Sequence, residues 1–500
     1  MGIIQKQSIS GTIYSYLGVL LGFFITGLLF PNIFTTSEVG LLRLLVSYSV
    51  LFAQFAGLGF SAVTVKLFPY FRDASKKHHG FLGLALLVSL GGFLISLLVL
   101  FLLKPFIIER ALDKSELFVT YFKYVVPLIF FTLLFNVFDA YYRVLYNAVK
   151  GIILKQVIQR LFILAAVLLY YFEFINFATT VVFYAIALII PSIILFISLI
   201  LEKQFYLKPD IKFLTPKLIN EMIGVGFFGI LLSFSGVLVL NIDVIMVNDI
   251  LGIKAAGIYT IAFFFGTLVL IPLRPVIKIS SVVIAESWKN NDIQTIHQIY
   301  KKSSINLTII GLIVLVGIWG NIDNIFQLIK DDYLPGKMIV LYIGIANVLD
   351  MAIGVSNQII FNSKYYKNLS YFFLVFAVLL IITNILLIPR FGITGAAIAS
   401  LVSKFIFNSI KYIFLYRKFK FQPFNFKYIL LLLIALITYF LSRIIPVFPN
   451  FILDIFIRST AIFIIFSIPV YAFRISEDIN DKINKILIEI GFNKKSDQRK

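Results

Sequence analysis

Apolar runs of about twenty residues, each closed by a short cluster of lysine, glycine, proline or asparagine, recur from one end of the chain to the other. Such runs show no polar alternation, so they read as membrane-crossing helices and not as the strands of an outer-membrane barrel. Fourteen are predicted, the second near Leu41–Phe60, the seventh near Met222–Leu240 and the tenth near Met338–Ile360. The expectation is an all-α polytopic membrane protein. After the last run, Ile479, Ile483, Ile486 and Ile490 share one face of an amphipathic helix that lies on the membrane interface.

Composition supports this reading. The 500 residues are 60% hydrophobic and 14% charged, with a mean hydropathy of +0.99. Fourteen crossings consume about 280 residues, which leaves only short loops and no room for a catalytic domain outside the membrane. Zero cysteines exclude disulfides, thiolate metal sites and cysteine nucleophiles. The first residues are not a charged leader, and no cleavable signal peptide is read.

A net charge of +20 raises the question of nucleic acid, and the placement of the basic residues answers it. With the N-terminus inside, 31 Lys and Arg fall on cytosolic loops and tails and 9 on the outer side. That asymmetry places both termini in the cytosol and accounts for the charge without a nucleic-acid partner. His78, His79 and His297 lie in cytosolic loops without the spaced carboxylates of a metal or acid–base site. No G-x-S-x-G elbow and no Walker loop occurs, so the chain is read as neither an enzyme nor an ATP-driven pump, and no cofactor is expected.

An internal repeat organises the helices. Asn136-Val-Phe-Asp139 recurs as Asn347-Val-Leu-Asp350, Tyr146-Asn147 as Phe361-Asn362, and Glu38-Val-Gly40 as Ala255-Ala-Gly257, with about four extra residues in the second copy between Asp350 and Phe361. The repeat unit is six helices, an even number, so the two copies run parallel. The expected division is residues 1–203 and 204–420 as the six-helix halves, 421–474 as two further helices and 475–500 as a cytosolic amphipathic tail. A cavity gated by two rocking halves is the usual physical meaning of such a plan, which makes the chain a transporter.

Three stretches resemble a known family. Asn241-Ile-Asp243 through Gly252, Gly257, Tyr259 and Ala262 is similar to the helix 7 to 8 signature of polysaccharide and O-antigen (Wzx-type) flippases. Pro389-Arg-Phe-Gly392-Ile-Thr-Gly395 through Ser400 is similar to their helix 11 to 12 turn, and Glu38 to Arg43 with Phe55 to Phe60 to their first hairpin. These flippases belong to the multidrug, oligosaccharidyl-lipid and polysaccharide (MOP) exporter superfamily. The resemblance implies a MATE-like fold and export of a polyprenyl-diphosphate-linked oligosaccharide to the outer leaflet of a bacterial inner membrane. It also implies work alongside a polysaccharide polymerase or glycosyltransferases. The arginine-rich start of the lipid II flippase branch is missing, since the first predicted span carries no charge. A lipid II flippase and a cation-coupled multidrug antiporter remain the alternatives within the superfamily.

Polar residues inside the spans mark the candidate site, because each charge at mid-depth costs about 2.5–3.5 kcal/mol by insertion scales. Lys404 and Asp350 stand deepest, and they read either as a structural ion pair or as a diphosphate contact with its counter-ion. Asn347, Asp350, Gly354 and Asn357 share one helix face, as do Asn136, Asp139, Arg143 and Asn147. Gln54 lies on a polar stripe with Ser47 and Ser61, with Arg43 one turn further outward. Gly11, Ser15, Gly18, Gly22 and Thr26 form a small-residue stripe suited to close helix packing. The candidate cationic set for the diphosphate is Lys404, Arg160, Arg43, Arg143 and Arg274, with Gln54, Asn347 and Asn357 as polar lining. Asp350, Asp139 and Asp243 are the candidates for a coupling proton or sodium ion.

Overall fold

The computed structural model describes residues 3–489, and among them every regular element is helical. Among the described residues, thirteen helices are long and apolar enough to cross a membrane, so the chain is a multi-pass membrane protein. In chain order the helices used below are α1 Ser10–Ile33, α2 Thr36–Ala56, α3 Phe60–Phe71, α4 Lys77–Arg110, α5 Glu116–Val144, α6 Ala148–Tyr171, α7 Phe177–Leu201, α8 Pro216–Leu251 and α9 Ile253–Leu270. They continue with α10 Leu273–Lys289, α11 Ile293–Gly320, α12 Lys337–Ala352, α13 Ser356–Asn362, α14 Tyr366–Phe419, α15 Phe426–Ile444, α16 Phe451–Ala472 and α17 Glu477–Glu489.

The 54 residues of α14 would run about 80 Å if straight, against a hydrocarbon core of about 30 Å. Gly392 breaks it, with φ 59° and ψ −143°, a conformation that costs any other residue strain. A Cβ on Gly395 would collide with the carbonyl oxygen of Leu387. Residues eight apart on a straight helix stand about 12 Å apart, so this approach requires the chain to double back. The two limbs of α14 are therefore separate crossings, and thirteen helices supply the fourteen crossings that the hydropathy pattern predicts.

Helix ends run past the apolar windows. The 36 residues of α8 extend to Leu251, well beyond the predicted edge at Leu240, because a helix projecting from the hydrocarbon keeps its backbone bonds whatever its side chains. The amino end of α2 is closed by a capping box: Thr35 N donates to Glu38 Oε2 at 2.8 Å and Glu38 N to Thr35 Oγ1 at 3.3 Å. Glu38 of the sequence motif is thus a helix cap. The twelfth helix ends at Ala352, and a turn through Gly354 (φ 55°) leads into α13. That break lies within the interval where the second sequence copy carries its extra residues.

By packing, the chain forms two compact units, residues 1–261 with 370–399, and residues 262–369 with 400–500. This is a different division from the six-helix halves, since α8 and the first limb of α14 pack with the N-terminal helices. In the first unit α8 packs on α2 and α3, and Gly40 and Gly257, matched positions of the repeat, meet backbone to backbone: a Cβ on either would stand 3.2 Å from the other's amide nitrogen. An aromatic cluster on Phe68, with Phe81 and Tyr141 edge-on at 5.3 and 5.6 Å, fills its interior. The second unit closes around Leu312, Met351, Leu431 and Ile462. There α17 is tied down through Asp478, which binds Lys302 at 2.9 Å and Asn306 at 3.1 Å. The basic end of the tail, Lys494 to Lys500, lies outside the described residues.

Candidate functional site

In the second unit the structure gathers Asn347, Asp350, Asn357 and Lys404 into one network. Lys404 Nζ stands 2.8 Å from Asp350 Oδ2 and also donates to Asn347 Oδ1. Asn347 in turn donates to the Gly266 carbonyl at 2.9 Å. Asn408 Nδ2 donates to the other Asp350 oxygen at 2.9 Å. A second ammonium enters from Lys411, which donates to Asn357 Oδ1 at 3.1 Å, lies 4.3 Å from the Phe407 ring centroid and is only 3% exposed. Sequence reasoning missed Lys411, counting it on the cytosolic side because it lies near the inner end of the predicted twelfth span. Its position seven residues after Lys404, two turns on the same helix face, is the signal that could have found it.

The repeat-equivalent carboxylate in the first unit, Asp139, sits among cations too. Arg143, one turn later on α5, bonds it at 3.2 Å, and Lys155 of α6 lies close enough to interact electrostatically. Asp139 rests against Gly151, where a side chain would fill its place. Each unit thus holds one carboxylate of the Asn-x-x-Asp repeat with two basic groups, although different helices supply them. Lys155 was likewise missed, counted on the cytosolic side.

The remaining candidates are dispersed. Arg43 reaches α8, donating to the Leu240 carbonyl and to Asn241 Oδ1, both at 3.2 Å. Asp243 is 3% exposed and accepts from Tyr259 at 2.9 Å and from Asn384 of the first α14 limb at 2.7 Å. Because α8 continues two turns past it, Asp243 is an interior residue. Gln54 lines a cavity of about 10 Å³ with Asn136 and Ser89, space for a single water. Arg274 is exposed in the first turn of α10, and Arg160 lies against Gly22 of α1. Of the histidines, His79 shares a 3.0 Å bond with Asp210 and stacks on Phe213, and His297 stacks on Phe421. The His79 bond, only partly offset by desolvation, holds the Asp210 carboxyl below the usual carboxylate range.

One further buried pair includes Arg458, which the sequence places at an outer helix end. Arg458 and Asp454 of α16 are 5% and 1% exposed and 3.0 Å apart. Arg458 also donates to the Ser442 carbonyl at the end of α15, and Asp454 accepts from Asn324 and from Phe448 N. Every partner closes a helix end or a turn, so this pair is a structural clasp.

Residues 6–284, more than half of the chain, match the family described as polysaccharide biosynthesis protein. The chain belongs to that family. No curated protein matches the sequence. Among solved structures, this polysaccharide biosynthesis family member is similar to the lipid II flippase MurJ in an inward closed conformation, at 16% identity and a TM-score of 0.71 over 92% of this chain and 99% of that one. It is similar also to an inward-facing multidrug resistance MATE transporter of the MOP superfamily, at 11% identity and TM-score 0.64 over 82% and 94%. A MOP superfamily transporter from Pyrococcus furiosus, described as having a binding pocket of reverse polarity, follows at 11% identity and TM-score 0.58 over 84% and 95%. The family member therefore has the MurJ and MATE fold, the fold of membrane transporters.

Proposed function

We propose that the protein is a flippase that moves a polyprenyl-diphosphate-linked oligosaccharide from the cytosolic to the outer leaflet of a bacterial inner membrane, by alternating access and with both termini cytosolic. The observation that carries this reading is the surplus of positive charge around Asp139 and Asp350, each a single carboxylate among two cations. A structural ion pair needs equal charges; at Asp350 the surplus cation is buried Lys411, and a charge at membrane depth costs about 2.5–3.5 kcal/mol by insertion scales, whereas Arg143 beside Asp139 is about half exposed. A diphosphate group repays that cost, since ammonium and guanidinium groups bind phosphate oxygens through charge-assisted bonds. The family supports the substrate class, and the division of basic residues, 29 to 8 once Lys155, Lys411 and Arg458 are set aside as interior, supports the orientation.

Carrying negative charge outward is favoured by an inside-negative potential, by about 2.3 kcal/mol per charge per 100 mV. A proton or sodium ion at Asp350, Asp139 or Asp243 resets the empty carrier. The oligosaccharide is delivered by glycosyltransferases and consumed by a polysaccharide polymerase, which are the partners this reading implies. The test is transfer of a fluorescent polyprenyl-diphosphate oligosaccharide across proteoliposomes, with and without proton and sodium gradients. Wild type transfers it, and Lys404→Ala combined with Arg143→Gln, which removes one cation from each carboxylate, does not. Unchanged transfer by that double variant overturns the cationic site, and absence of transfer by folded wild type under every gradient overturns the flippase.

A further inference from the structure

The first unit contains a pocket not described above, which holds Arg160 of the candidate cationic set and shares Lys155 with the surroundings of Asp139. Two of its helices leave regular α geometry: α1 is π-helical over Phe23–Leu29 and α6 over Leu154–Ile158. One extra residue per turn re-aims the side chains on either side, and such turns occur often at functional sites. Here the two π-turned helices pack against each other, and a cavity of about 250 Å³ opens where they meet. Thr26 lines it from α1, and Lys155, Gln156, Gln159 and Arg160 line it from α6.

Glycines on α1 set the approach. A Cβ on Gly18 would stand 2.7 Å from the Gln156 side chain, and one on Gly22 would overlap the Arg160 guanidinium. The small-residue stripe of α1 thus does give close packing, and what it admits is a basic, polar face of α6. Counting from the start of α6, Lys155 and Arg160 lie about 10 and 18 Å along the helix. Lys155 is exposed to the cavity, with its ammonium 4.6 Å from the Phe135 ring centroid. Gln156 Oε1 is buried without a hydrogen-bond partner among the described residues, and rotation of the amide turns its two N–H donors to that position.

We propose that this pocket is a phosphoryl-binding site, in which Lys155 and Arg160 supply the charge and Gln156 and Gln159 neutral donors, and that its occupant is the diphosphate of the lipid-linked substrate. The choice of occupant rests on the flippase reading, whereas the anion site rests on the two cations, the cavity and the orphaned amide. Two cations lining one pocket with neutral donors fit the adjacent charges of a diphosphate better than the single charge of a phospholipid headgroup. The volume suits the diphosphate itself and leaves sugar and polyprenyl chain outside.

Because the chain has no cysteine, a single Thr26→Cys substitution reports on the pocket through its rate of maleimide labelling. The probes are farnesyl diphosphate, inorganic pyrophosphate and phosphatidylglycerol. Both diphosphates are expected to slow labelling. Lys155→Gln or Arg160→Gln in the same background is expected to raise the half-protecting concentration at least about tenfold, the loss of one charged hydrogen bond. Arg160→Lys, which keeps the charge, retains most of the protection and controls for misfolding. Protection by phosphatidylglycerol equal to that by the diphosphates overturns the diphosphate assignment. No protection by any probe, in protein that still flips the lipid-linked oligosaccharide, overturns the pocket and leaves the flippase standing. Protection by pyrophosphate in protein that flips nothing supports the anion site and overturns the transport reading alone.

Discussion

Replacing the charges of the Lys404–Asp350 pair one at a time and then together separates a pair kept for stability from one kept for use. At 2.8 Å and an effective dielectric of about 20, the attraction is worth about 6 kcal/mol before screening. Side-chain exposures of 16% and 24% allow water to screen part of this, and each ion loses hydration on burial, so we expect a net coupling of about 2–3 kcal/mol. Asp350→Asn leaves two ammonium groups, Lys404 and Lys411, without their carboxylate and is expected to destabilise by about 3 kcal/mol. Lys404→Met costs less, because Lys411 and Asn408 remain beside the carboxylate. The double variant should recover about 2 kcal/mol relative to the sum of the singles. Denaturant unfolding in detergent gives the cycle, and flipping in proteoliposomes gives the function. A double variant that is folded yet does not flip identifies charges held for substrate. Strictly additive single effects refute the pairing, and full flipping by the stable double variant refutes the functional argument.

The other perturbations are more local. Arg458→Met leaves Asp454 buried without its cation and should cost about 3–5 kcal/mol in thermal or denaturant unfolding while leaving flipping per folded molecule unchanged; a loss below 1 kcal/mol would show that the clasp does not form. Asp243→Asn keeps the size of the group and bonds available to Tyr259 and Asn384, so stability should fall by less than about 1.5 kcal/mol while dependence of flipping on an ion gradient disappears; unchanged gradient dependence excludes Asp243 as the coupling carboxylate. Gly392→Ala places a Cβ at φ 59° and should destabilise by about 1–3 kcal/mol, read as a lower midpoint of denaturant unfolding. Outside the membrane, Asp323 is held below the usual carboxylate range by the Lys337 bond at 2.9 Å, offset by partial burial and reinforced by Arg443. Its folded value is depressed, so its stabilisation is complete above about pH 4 and lost as pH falls through the lowered value. Asp323→Asn should therefore flatten the acid limb of Tm between pH 6 and 3, and an acid limb identical to wild type refutes the bond.

The sequence alone determined the class of fold. Crossing helices are dictated by the thickness of the bilayer and the need to satisfy every backbone group within one segment, so twenty-residue apolar runs suffice to count them. It also carried the charge asymmetry and the motifs of the polysaccharide biosynthesis family. Within the site, Lys404 and Asp350 were legible as a pair because both lie far from any helix end, where a charge needs a partner. Tertiary structure decided the rest. Lys155 and Lys411 were counted on the cytosolic side because they lie near the inner ends of their spans, and hydropathy cannot tell a residue at a helix end in water from one buried against a neighbouring helix. Helix continuation past the predicted edge made Asp243 an interior group on α8, and packing turned Arg458 from a charge at an outer helix end into a clasp. Partners such as Asn384 for Asp243 stand 141 residues away, and no local period encodes a contact made across that separation. The π-turns of α1 and α6 are of the same kind: one additional residue in a turn leaves the apolar content of a span unchanged, and only the packing of two helices shows that the turns open a pocket together.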